Sequence, residues 1–112
     1  MLRLAAALAA LAFAATPAVA QDGAQLFNMQ CRMCHNGSPM GPTLTGVAGG
    51  DIAAKSFAYS PALKNKEGVW TDAALDAYLK APATFAPGTK MLVSVPNDAN
   101  RAAIISYLKT LK

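Results

Sequence analysis

Cys31, Cys34 and His35 form a C-x-x-C-H run, and that spacing has a definite chemical use, the attachment of a c-type haem. Two thiols can add across the two vinyl groups of one porphyrin edge. A two-residue spacer lets both sulfurs reach that edge from a single helical turn. The next residue, His35, is then carried beneath the iron, where an imidazole nitrogen can bind it. Other chemistries use the same residue types. An exported chain with two cysteines most simply closes one disulfide. C-x-x-C also serves as a dithiol redox centre, although the βαβ pattern of a thioredoxin-like enzyme is absent. A closed zinc site would need further ligands, and the chain holds only one His and two Cys.

A haem with an open iron site suits an enzyme or a gas binder; one with both axial positions filled usually suits an electron carrier. The chain has no second histidine. Met29 and Met33 flank the attachment run, and Met40 lies five residues past His35. None of these easily crosses to the opposite haem face. Met91 lies 56 residues after His35, in Pro87-Gly88-Thr89-Lys90-Met91. Pro and Gly free that backbone from helix and let it lie along the haem. Most methionines merely fill core. After C-x-x-C-H, and in this segment, Met91 is the candidate second ligand.

The elements that must position these groups are short helices. Asp22 can cap a helix that turns Leu26 and Phe27 inward and runs into Cys31. From His35 to about Asp51, seven Gly and Pro residues break any regular period. Ser60-Pro61 can open a short helix ending near Lys66. Thr71 is an N-cap candidate for a helix over Asp72 to Lys80, with Leu75, Tyr78 and Leu79 at helical spacing. Pro82 ends it, and Ala83 to Pro96 reads as irregular. Asn97 or Asp98 caps a last helix with Ile104, Leu108 and Leu111 on one face. No segment alternates with period two. The fold class is all-α, with short helices tied by long loops. Such loops make a thin core and need something to pack on. A porphyrin buries about 600–1,000 Å² if treated as roughly four Phe-sized groups, ample to complete a core this small.

The first twenty residues differ from the rest: 17 are apolar, against 43 of the remaining 92. Arg3, an apolar run from Leu4 to Ala15 and the small residues Ala18-Val19-Ala20 make a secretory signal peptide over 1–20, cleaved before Gln21. Twelve apolar residues rise about 18 Å as helix, short of a hydrocarbon core of about 30 Å. Residues 21–112 then form a single domain; their length excludes a multidomain enzyme or a barrel. Nine Lys and Arg against six Asp and Glu leave this part mildly basic, too weakly to suggest nucleic acid.

From about residue 22 to 110 the chain resembles a class I cytochrome c, of the small bacterial type close to mitochondrial cytochrome c. The resemblance rests on Gly23, Phe27, Cys31, Cys34, His35, Gly41-Pro42, Leu44, Phe57-Ala58-Tyr59, Trp70, Tyr78-Leu79, Pro82, Pro87 to Met91 and Tyr107-Leu108-Lys109. It implies the class I fold, wrapped around one haem c attached through Cys31 and Cys34. It implies a non-enzymatic, single-electron carrier in the periplasm, with iron held by His35 and Met91. Pro42 is expected to accept a hydrogen bond from His35. Tyr59 and Trp70 are expected to donate to a haem propionate, Tyr78 to lie beside the methionine sulfur, and Gly23 and Phe27 to pack on the last helix. Gly50 departs from a basic residue common in relatives, Val93 departs from an aromatic one, and the stretch from His35 to Gly41 is shorter than in mitochondrial members. The partners implied are redox proteins with acidic docking faces, such as a membrane cytochrome complex, an oxidase, a reaction centre or a dehydrogenase. Lys64, Lys66, Lys80 and Lys90 would border the haem opening, and the protein would be a monomer that meets membranes only through partners. Two alternatives keep the same haem: a bound subunit of a dehydrogenase or oxidase, and a small peroxidase-like enzyme with a displaceable methionine.

Overall fold

The computed structural model describes residues 22–112. The expected signal peptide and its cleavage point lie outside the described residues. The first helix, α1 (Gly23–Gln30), starts where the Asp22 side chain accepts from the Ala24 N–H at 3.0 Å, satisfying a donor that the helix itself cannot. It buries Leu26 and Phe27 against the last helix, α5 (Asp98–Leu108), which Asn97 caps by accepting from Asn100 N–H at 2.9 Å. The Phe27 and Tyr107 rings meet with centroids 5.1 Å apart. Gly23 lets the helices cross closely, because a Cβ there would sit 2.0 Å from the Ala103 carbonyl oxygen. The packing expected of Gly23 and Phe27 is therefore present.

Between these helices run α2 (Pro61–Lys64), capped by Ser60, and α3 (Asp72–Lys80), capped by Thr71, both at the expected places. Leu75 and Leu79 of α3 are buried with Ile104, Ile105 and Leu108 of α5. Two details differ from the sequence reading. Pro82 does stop α3, with Ala81 out of helical geometry, but it also opens a further turn, α4 (Pro82–Phe85). A proline lacks the N–H that a first helical position leaves unpaired anyway, so it is well suited to start what it has just ended. Leu111 lies beyond the end of α5 rather than on its face. It is still half-buried on the core, and its carbonyl accepts from Gly46 N–H at 2.6 Å.

The long loops are held by such crossings. Trp70 N–H donates to Gly50 O at 2.8 Å and Gly49 N–H donates to Trp70 O at 2.9 Å, next to an antiparallel bridge between Asp51 and Val69. No helix among the described residues is long and apolar enough to cross a membrane. Substituting Gly23→Ala is expected to force α1 off α5 and to cost about 1–3 kcal/mol. Denaturant unfolding of the haem-loaded protein measures this.

Candidate functional site

At the end of α1, Phe27 O accepts from Cys31 N–H at 2.8 Å; Cys31 O then accepts from Cys34 N–H at 3.2 Å and His35 N–H at 3.0 Å. One extra turn thus carries both thiols and the imidazole, as the spacing requires. Cys31 and Cys34 are not joined by a disulfide. Burial pushes the Cys31 thiol up to about 11, with Cys34 adding a smaller effect, so the free thiol is protonated at neutral pH.

His35 Nδ1 lies 2.8 Å from the Pro42 carbonyl oxygen. A carbonyl only accepts, so Nδ1 carries the hydrogen of this bond, and in the neutral ring Nε2 keeps the lone pair. Gly41 permits this turn. A Cβ there would stand 3.0 Å from both His35 Nδ1 and Cys34 O.

These groups face a cavity of about 320 Å³, in the size range of small-molecule sites. Its walls are largely apolar, with Leu44, Val47, Leu63, Leu75, Leu79 and Ile104 among them. All the residues singled out from the sequence line it: Cys31, Cys34, His35, Pro42, Tyr59, Trp70, Tyr78 and Met91. Trp70 is buried and stacks on Phe85 with centroids 5.6 Å apart. The Tyr59 oxygen accepts from Lys55 N–H at 3.1 Å, which leaves its own O–H free to donate. Met29, Met33 and Met40 are all largely exposed, and of the three only Met40 also touches the lining.

Two features escaped the sequence reading. Thr89 is buried, and its hydroxyl is bonded to the Tyr78 hydroxyl at 2.7 Å. A hydroxyl within a Pro-Gly-Thr turn has no sequence mark that separates it from an exposed one. Of the lysines expected at the opening, Lys90 lines the cavity and donates to Ala58 O at 2.5 Å, but the second lining lysine is Lys55, held to Thr45 O at 2.5 Å. Lys66 instead sits over the Phe85 ring, 4.3 Å from its centroid. Gly50 is explained by space. A Cβ there would come 2.9 Å from Gly46 O, so no basic side chain could stand at that position without moving backbone.

A family model for cytochrome c matches residues 20–112. The chain belongs to the cytochrome c family. Cytochrome c2 of Rhodomicrobium vannielii is 38% identical over 112 residues, covering 91% of this chain and 89% of that one. Cytochrome c of Tetrahymena pyriformis is 38% identical over 96 residues, covering 82% and 88%. A cytochrome c-type cyt cy of Rhodobacter capsulatus is 44% identical over 97 residues; these cover 82% of this chain but 49% of that relative, so the chain spans about half that protein's length. Among solved structures, cytochrome cH from Methylobacterium extorquens superposes with a TM-score of 0.73 at 34% identity, covering 81% of this chain and 97% of that one. The fold is that of a class I cytochrome c. This cytochrome c is a haem-containing electron carrier and not an enzyme, with one haem c attached through Cys31 and Cys34. The residues present fit that group. Two thiols on one turn suit its vinyl edge, an imidazole lone pair suits iron, and an apolar cavity suits the porphyrin face.

Burial raises the Tyr78 phenol above its ordinary value of 10.0, against a smaller opposing pull from the Thr89 hydrogen bond. The folded chain therefore keeps a proton that the unfolded chain releases. The stability this contributes is present below about pH 10 and is lost as pH rises through the raised value. Tyr78→Phe is expected to show a shallower alkaline loss of stability than the parent, read from denaturation midpoints across that pH range.

Proposed function

We propose that this cytochrome c is a soluble, periplasmic, monomeric shuttle whose iron is held by His35 and Met91. In this reading residues 1–20 are removed on export and 21–112 form the working haem domain. The observation that carries it is the placement of Met91 on the same cavity as a histidine whose Nδ1 is already committed to Pro42 O.

When bound, the haem supplies a one-electron couple between Fe(III) and Fe(II). The chain's residues tune and guard it. The Pro42 carbonyl fixes the imidazole ring and makes Nε2 a better donor. The Met91 thioether is a soft donor, which favours the reduced state and a positive potential. The apolar walls keep water away and disfavour the more highly charged oxidised centre. Tyr59 and Trp70 offer O–H and N–H donors to the propionates, whose burial would otherwise be costly. Tyr78, tied to Thr89, stiffens the turn that precedes Met91.

An electron carrier must bind, deliver and leave, so its complexes are small and short-lived. Lys90 and Lys55 at the cavity, with Lys64, Lys66 and Lys80 on neighbouring elements, would speed encounter with an acidic partner face. Association with a membrane cytochrome complex or oxidase is expected to slow as ionic strength rises. A salt-independent on-rate would remove the steering part of the proposal.

A redox-titrated optical spectrum of the mature protein tests the ligands. The parent should titrate at a positive potential and its reduced form should resist carbon monoxide. Met91→Ala should lower the potential and admit carbon monoxide readily. A parent that binds carbon monoxide as readily as the variant overturns the assignment of Met91.

A further inference from the structure

Arg101 is the one buried charged side chain among the described residues, only 2% exposed, and nothing in the electron-carrying chemistry explains it. A guanidinium is not placed inside a small protein without partners, because desolvating it is costly. Its partners are specific. Nη1 donates to Val95 O and to Pro96 O, each at 2.9 Å. Nε donates to Asp76 of α3 at 2.8 Å, and Nη2 is paired with Asp98 at the start of α5.

Those two carbonyls lie where the Met91 segment leaves the cavity. At its entrance the segment is held by Ala86, which is fully buried, by Thr89 N–H donating to Ala86 O at 2.9 Å, and by Thr89 bonded to Tyr78. Lys90 ties it to Ala58 O. Past Met91, Leu92 and Val93 also line the cavity, and Ser94 is exposed. The chain is caught again at Val95, whose N–H donates to Leu79 O at 2.8 Å, and at Arg101. The segment is thus a strap fastened at two ends, with Met91, Leu92 and Val93 laid along the cavity between them.

We infer that Arg101 is the positioning residue that fastens the exit of this strap and so holds the Met91 thioether in place. Asp76 anchors Nε to α3 and Asp98 holds Nη2, so that Nη1 is left to take the two successive carbonyls; a lysine ammonium, with three donors on one nitrogen, could not serve all four partners. Releasing this end lets the strap swing out from Met91 onwards while the rest of the chain stays folded, since local openings draw on the least-anchored segments. The inference rests on Met91 as an axial ligand.

The test is titration of added imidazole into the oxidised, haem-loaded protein, followed by the optical spectrum. An outside ligand binds only when the thioether has left, so its apparent affinity rises with the population of the open strap. Arg101→Gln is expected to raise that affinity by about tenfold or more, and Arg101→Lys by less. Ile105→Val, on the same helix but away from the cavity lining, should lower the denaturation midpoint and leave imidazole affinity unchanged. If Arg101→Gln lowers stability yet binds imidazole like the parent, Arg101 is a structural pin only and the inference is overturned. Should Arg101→Gln fail to fold, Arg101→Lys decides the matter: a raised affinity supports the inference, and an unchanged one overturns it. A parent spectrum without thioether ligation overturns the Met91 reading and this inference together, whereas failure in the variants alone overturns only the inference.

Discussion

Covalent attachment at Cys31 and Cys34 puts the haem at the end of α1, and the rest of a short chain has to be assembled around that point. The turn that carries the two thiols also carries His35, and the next loop returns Pro42 O to its ring. The imidazole's tautomer is thereby set by a backbone carbonyl seven residues away. Gly41 is the local condition for that return, since any side chain there would press on the ring it is meant to orient.

Loops in this protein serve as walls. Between Pro42 and Tyr59 there is no helix, yet this stretch supplies a large part of the cavity lining. Its shape comes from hydrogen bonds made across the molecule: Gly46 to Leu111, Gly49 and Gly50 with Trp70, and Lys55 to Thr45. The first two tie the stretch to distant parts of the chain and the third closes it on itself, so the wall is only as firm as the helices behind it. Those helices meet on Gly23, Leu26 and Phe27 from one side and Ile104, Ile105 and Leu108 from the other. The far wall follows the same logic, with Arg101 reaching from α5 to the exit of the Met91 segment and to α3 at once.

Much of the fold was legible because it depends on local chemistry. Asp22, Ser60, Thr71 and Asn97 each place a side-chain acceptor just before a helical run, and each makes the cap its position suggests. Where competing local signals met, the reading slipped. Pro82 ends one helix and begins α4, and the residues alone do not say that a second start follows the stop. Leu111 keeps helical spacing from Leu108 but lies past the helix, in a turn where its carbonyl accepts from Gly46, 65 residues earlier in the chain. Lys55 was overlooked for the same reason. Its neighbours in sequence are small and unremarkable, and its place at the cavity is decided by Thr45 and Tyr59.

The sequence by itself determined the chemistry. The spacing of Cys31, Cys34 and His35 is a property of one helical turn and needs no knowledge of the rest. The tertiary structure alone decided what surrounds that chemistry. Thr89 beneath Tyr78, Lys55 at the cavity and Arg101 under the strap are ordinary residues in the sequence, and their roles come from Tyr78, Thr45 and Asp76, 10 to 25 positions away, or from carbonyls that no residue type advertises. Local spacing fixes bonds that a few successive residues make among themselves. Which polar group is buried, and what answers it there, depends on how distant segments are brought into contact.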